Sequence, residues 1–159
     1  KKGEGADDEV AETIAVMKQL NRSGRDAMVA VGVSAATDIS GFGLVGHAFE
    51  IADASGVTIE LDTASVPLLP RTLEFAGKGF LTRTYKSTIG HLGDRLQASD
   101  VEPTLGNVLC DAQTSGGLLI CVPEERSEEL AAALNDNGAL CAAEIGTVRK
   151  RGDFAIVLT

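Results

Sequence analysis

Residues 36–47 read Ala-Thr-Asp-Ile-Ser-Gly-Phe-Gly-Leu-Val-Gly-His, and they leave the chain little freedom. Small and apolar groups alternate from Val33 to Ile39 as in a buried strand, and the turn at Ser40 to Gly43 ends that pattern. Beyond it Leu44, His47, Ala48, Ile51 and Ala52 recur at helical spacing up to Gly56, a residue suited to a left-handed helix terminus. A strand must therefore enter the turn and a helix must leave it. The first turn of such a helix carries N–H groups without intrahelical partners and the positive end of the macrodipole, which together attract anions. Asp38 stands two residues before that turn. A bare carboxylate there repels phosphate unless a divalent cation lies between them, so the segment points to acid, metal and phosphate meeting at one place. Asp38 is the candidate metal ligand.

Elsewhere the pattern alternates between helix and strand. Asp7 and Asp8 cap and charge a first helix with Val10, Ile14, Met17 and Leu20 on one face, ending near Asn21 and Gly24. A shorter helix is expected over 25–31, and Val57 to Leu61 resumes as a strand. From Ser65 to Asn107 prolines and glycines interrupt the pattern, with one possible helix at 71–77. That stretch is too long for an idle loop and reads as a partly ordered excursion near a site, or as a surface for a partner domain. Residues 116–122 read as a central strand. Pro123, Glu124 and Glu125 start a helix through Leu130, Ala133 and Leu134 that stops at Asn137-Gly138. Strands at about 140–149 and 154–158 close the chain. The expected class is α+β, layered in the α/β manner, with a mixed β-sheet packed with helices.

A chain of 159 residues suits one domain and needs no disulfide or metal staple. Lys1 to Gly5 reads as a linker, which predicts a piece of a longer protein. The net charge of −9 argues against nucleic acid, whose binding rests on many Lys and Arg neutralising phosphates. Cys110, Cys121 and Cys141 have neither a paired nor a metal-ligand spacing, and are expected to be buried, reduced thiols of a cytoplasmic protein. No leader and no apolar run of membrane-spanning length is visible, so no membrane partner is expected.

Competing readings weigh on each motif. Gly41, Gly43 and Gly46 satisfy the dinucleotide-binding pattern, with Asp62 about twenty residues on. Asp38 would project its charge at the pyrophosphate, however, and strand-helix-strand units do not continue after Asp62. Alone, Asp38 would be a turn-forming side chain. His47 falls on the apolar face with Leu44 and Ile51, as a hydrogen-bonded core histidine does, and nothing pairs it with His91. Gln113-Thr114-Ser115-Gly116-Gly117 is either an ordinary turn or a set of donors where backbone can approach a ligand closely. Lys78 lacks the spacing of a phosphate-binding loop. Arg83, Tyr85 and Lys86 make a small basic cluster, solvated or anion-facing.

Residues 36–47, together with Cys110-Asp111-Ala112-Gln113-Thr114-Ser115-Gly116-Gly117-Leu118-Leu119-Ile120, strongly resemble the carboxy-terminal half of selenophosphate synthetase (selenide, water dikinase). Met17, Leu20-Asn21-Arg22 and Ala27-Met28 are similar too. The superfamily includes aminoimidazole ribonucleotide synthetase, thiamine-monophosphate kinase and a hydrogenase-maturation protein. The resemblance implies a fold like the C-terminal domain of aminoimidazole ribonucleotide synthetase. It also implies an intact enzyme that makes selenophosphate from selenide and ATP, releasing AMP and phosphate, with Mg2+ as cofactor and Asp38 as one magnesium ligand. The other metal carboxylates, the nucleotide segment and the reactive Cys or selenocysteine with its Lys belong to the amino-terminal half. No catalytic residue is therefore assigned to this chain, and the isolated domain is expected to be inactive. The implied partners are ATP, selenide, the chain's own N-terminal domain and a second copy in a homodimer. Two departures stand out: Ala112 where proline is usual, and residues 80–86, where the family's Gly-Gly-Thr followed by Arg-Asn is lost. The alternatives are another ATP-dependent superfamily enzyme and a non-catalytic docking module, the latter favoured by residues 80–86.

Overall fold

A computed structural model describes residues 5–159. Helix α1 spans Asp7–Lys18 and α2 spans Arg22–Val31. The first helix ends before Leu20, and the second begins three residues earlier than expected, so Gly24 lies inside α2 rather than at the end of α1. Asp7 and Asp8 charge the first turn of α1, but its cap is Glu9, whose Oε2 accepts from the Ala6 N–H at 2.9 Å. Glu9 also pairs with Arg71 at 2.9 Å. Arg71 in turn grips Glu74, and Arg71 with Lys78 holds the Glu74 carboxyl down at about 2. These groups are solvated, so they orient the surface more than they stabilise it.

Strand β1, Ala35–Asp38, leads through the Ser40–Gly43 turn into α3, Gly43–Ser55, and then β2, Val57–Leu61. The supposed excursion is ordered. It holds α4 (Thr72–Gly77), α5 (Thr84–Leu92), β3 (Leu96–Gln97) and α6 (Pro103–Cys110). Helices this short complete too few turns to show a period above their prolines and glycines, but α5 and α6 pack on each other and on α3. After them come β4 (Leu118–Cys121), a 3-10 turn at Glu124–Arg126, α7 (Ser127–Asp136), β5 (Gly146–Lys150) and β6 (Ile156–Leu158).

The class is α+β, with helices packed on sheet. The mixed sheet expected from the pattern is four-stranded and runs β3-β6-β2-β5, and β1 pairs antiparallel with β4 in a separate two-stranded sheet. In the larger sheet β6 lies parallel to both neighbours, β2 and β3, while the exposed edge strand β5 runs antiparallel to β2. Ile59, Leu61, Ile156 and Leu158 turn inward onto Val45, Ala48, Phe49 and Ala52 of α3, forming the main core. A second cluster joins Ala27 and Val31 of α2 to Leu130 of α7. Strand alternation ties the two together, since Leu119 packs into the main core and Ile120 against the second. The β1/β4 pair is thus clamped between α3 and the α2/α7 pair, which fixes where its ends point.

All three cysteines are free, but only Cys110 is buried; Cys121 is half-buried and Cys141 is exposed. Burial, reinforced by the neighbouring Asp111, pushes the Cys110 thiol up to about 12. A thiol reagent at neutral pH is therefore expected to label Cys141 rapidly in the folded chain and Cys110 only on unfolding, checked by mass spectrometry with and without denaturant. Among the described residues no helix is long and apolar enough to cross a membrane.

Candidate functional site

The pairing of β1 with β4 brings the two singled-out motifs side by side. Asp38, the last residue of β1, faces Leu118, the first of β4. Beyond that pair the Ile39 N–H donates to the Gly117 carbonyl at 2.9 Å, and the Gly116 N–H returns a bond to Ile39 at 3.1 Å. The Ser40 carbonyl accepts from Gln113 at 2.9 Å and from Gly43 at 3.2 Å. The turn before α3 and the 113–117 turn are one hydrogen-bonded unit.

Glycine is required at two points of that unit by contact. A Cβ at Gly116 would sit 2.5 Å from the Ile39 carbonyl oxygen. Gly43 has φ +67°, and a Cβ there would lie 2.6 Å from the Asp111 carbonyl oxygen. Two of the three glycines of the G-x-G-x-x-G pattern thus have packing explanations that need no dinucleotide, Gly43 and also Gly46, where a Cβ would lie 2.6 Å from the Phe42 Cβ, while Gly41 faces open space.

Asp38 is exposed, and its carboxylate makes no hydrogen bond or ion pair among the described residues. A hard, unpartnered oxygen donor suits Mg2+. It is one ligand only, because among the described residues no three His, Cys, Asp or Glu side chains are arranged to hold a metal. On the other side of the unit Gln113, Thr114 and Ser115 are exposed. The Thr114, Ser115 and Gly117 amides donate to no protein acceptor among the described residues, so the turn has donors to spare for an anion. The Gln113 and Gly116 amides are already committed to β1 and its turn.

His47 is a buried, hydrogen-bonded residue with Nε2 at 3.3 Å from Ser40 Oγ. His91 stands apart from it, edge-on to Phe49. Lys86 lies over the Tyr85 ring, and Arg83 occupies the residue before α5, exposed. The segment 80–86 is nevertheless joined to the site: the Thr82 N–H donates to Asp111 Oδ2 at 2.9 Å, and the Thr82 hydroxyl donates to the other carboxylate oxygen.

Three contributors were not assigned from the residues alone. Asn21, between α1 and α2, donates from Nδ2 to the Gly116 carbonyl at 3.1 Å across 95 positions of chain. Asp111 latches the 80–86 segment, and Glu50 stands beside the His47 ring. Only Glu50 left a local signal, three residues after His47 on one helix face.

A family model described as "AIR synthase related protein, C-terminal domain" matches residues 1–159. The chain belongs to that family. Within it the similar proteins include "Selenide, water dikinase" of Caldanaerobacter subterraneus subsp. tengcongensis, 41% identical over 143 residues, covering 90% of this chain and 42% of that protein. The protein of that name from Porphyromonas gingivalis is 43% identical over 125 residues, covering 79% of the chain and 36% of the relative. The one from Clostridium botulinum (strain Eklund 17B) is 31% identical over 153 residues, covering 96% and 44%. This AIR synthase-related domain therefore spans less than half the length of these relatives, and the resemblance to selenide, water dikinases extends over most of it.

Proposed function

We propose that this chain is the carboxy-terminal domain of an enzyme that makes selenophosphate from selenide, ATP and water, releasing AMP and phosphate. One observation carries the domain's part in it. The β1/β4 pairing sets an unpartnered carboxylate, Asp38, beside a turn whose Thr114, Ser115 and Gly117 amides have no protein acceptor among the described residues. The relatives' name supports the reaction. Asp38 would be one of the ligands to Mg2+, the rest coming from the amino-terminal half. When bound, the ion supplies neutralisation of phosphate oxygens. The chain's own residues hold the carboxylate at a strand end fixed by two cores, in the same hydrogen-bonded unit as the 113–117 turn and its spare donors.

The remainder of the enzyme has a natural docking face. Helix α1 buries no residue, yet Val10, Ile14 and Met17 recur along it and Leu20 follows, 75% exposed. That stripe supports an amino-terminal half covering α1; the enzyme is read as cytoplasmic and homodimeric, with the catalytic nucleophile in that half and no activity in this domain alone.

The test is a magnesium-dependent assay of the full-length protein followed by phosphorus NMR. AMP, phosphate and selenophosphate are expected only when selenide is present. Selenide-independent ADP formation, or turnover of aminoimidazole ribonucleotide precursors or thiamine phosphate, would assign it to another ATP-dependent member of the superfamily. Absence of metal-dependent nucleotide binding would leave a docking module.

A further inference from the structure

His47 is 7% exposed, on the second turn of α3, with the Phe42 ring tilted against it at 5.5 Å between centroids. Its two nitrogens meet different groups. Nε2 lies 3.3 Å from Ser40 Oγ, and Nδ1 lies 3.4 Å from Glu50 Oε2. Nδ1 is buried without a well-formed hydrogen bond, so the Glu50 carboxyl is its sole polar neighbour among the described contacts.

A neutral imidazole carries one N–H, and its position is set by what the other nitrogen meets. An unprotonated Nδ1 would turn its lone pair toward a carboxylate where little water can intervene. A proton on Nδ1 makes the same contact attractive. Glu50 is more than half exposed and so biases the ring toward that tautomer without burying a charge of its own. Nε2 is then the acceptor, and the Ser40 hydroxyl must donate to it. A hydroxyl has a single proton. Once that proton points into the core, the oxygen has only lone pairs left for the opening of the turn, two residues and about 7 Å of extended backbone from Asp38.

We propose that His47 and Glu50 are positioning residues that hold the Ser40 hydroxyl as a donor into the core. The turn after Asp38 then offers a cation the neutral Ser40 oxygen in addition to the Asp38 carboxylate, and no proton from Ser40 to a phosphate. The proposal deepens the reading of Asp38 as a cation ligand and rests on it.

Two measurements on the full-length protein test it. Nitrogen NMR with [15N]histidine labelling, assigned by the signals lost in His47→Gln and recorded where the ring is neutral, is expected to show the proton on Nδ1. Glu50→Ala is expected to move it toward Nε2. Ser40→Ala is expected to raise the Mg2+ concentration needed for half-maximal ATP cleavage about 10-fold, while Ser40→Thr, which keeps the hydroxyl, retains the wild-type requirement. A wild-type proton on Nε2 overturns the proposal, since Ser40 would then present its own proton to an anion. An unchanged Mg2+ requirement in Ser40→Ala, alongside a raised one in Asp38→Asn, also overturns it and leaves the Asp38 reading intact. If Asp38→Asn leaves the requirement unchanged, the cation reading fails and takes the proposal with it, even with the proton found on Nδ1.

Discussion

Asp38→Asn in the full-length enzyme is expected to cut magnesium-dependent ATP cleavage by more than about 100-fold, the scale on which preorganised electrostatic groups act in phosphoryl and acyl transfer. The substitution keeps size and shape and removes the charge. Stability should hardly move, because the Asp38 side chain is exposed and makes no bond among the described residues, and such surface changes stay within about 0.5 kcal/mol. The denaturation midpoint is the control: an unchanged midpoint with lost turnover separates loss of function from loss of folding. Wild-type turnover at every Mg2+ concentration would remove Asp38 from the chemistry and leave it as the residue that ends β1.

Gly43→Ala is expected to be the most damaging methyl in the site. The residue has φ +67°, which costs an L side chain about 1–2 kcal/mol. The new Cβ would also meet Cys110 and Asp111 backbone at 2.6 to 2.9 Å, contacts that no rotamer change relieves, and overpacking of this kind costs about 1–3 kcal/mol. The sum, about 2–5 kcal/mol, is a large share of what a typical domain has. Separation of α3 from the end of α6 would also tilt the turn that carries Ser40. Gly41→Ala two residues away is the comparison, since nothing lies within 4 Å of its Cβ and its φ is ordinary. It should stay within about 1 kcal/mol of wild type in urea denaturation. Equal midpoints for the two variants would show that the close approach of Gly43 to Asp111 is not what shapes this turn.

Much of the fold was legible because long or strongly alternating segments carry their own period. The α3 helix with its Gly56 terminus, strands β1, β2 and β4, and the stop of α7 before Asn137-Gly138 all follow from side-chain spacing and turn chemistry. Of the 65–107 region only α4, the helix expected at 71–77, was legible, and the rest was not, for the opposite reason. Its helices have six, nine and eight residues and owe their stability to one another, so local propensity is a poor guide to them. The division of the strands into two sheets was hidden as well, because pairing partners depend on where helices insert between strands.

The sequence by itself determined which residue types stand at the site, the acid of Ala-Thr-Asp and the donors of Gln-Thr-Ser-Gly-Gly, since their chemistry belongs to the side chains and the local turn. Only the tertiary structure decided that the two meet. Asp38 and Leu118 are 80 positions apart and become neighbours through an antiparallel register that the two flanking cores enforce. The Asn21 tether, the Asp111 latch and the paired environments of the His47 ring arise in the same way, from contacts between elements whose approach no local pattern encodes.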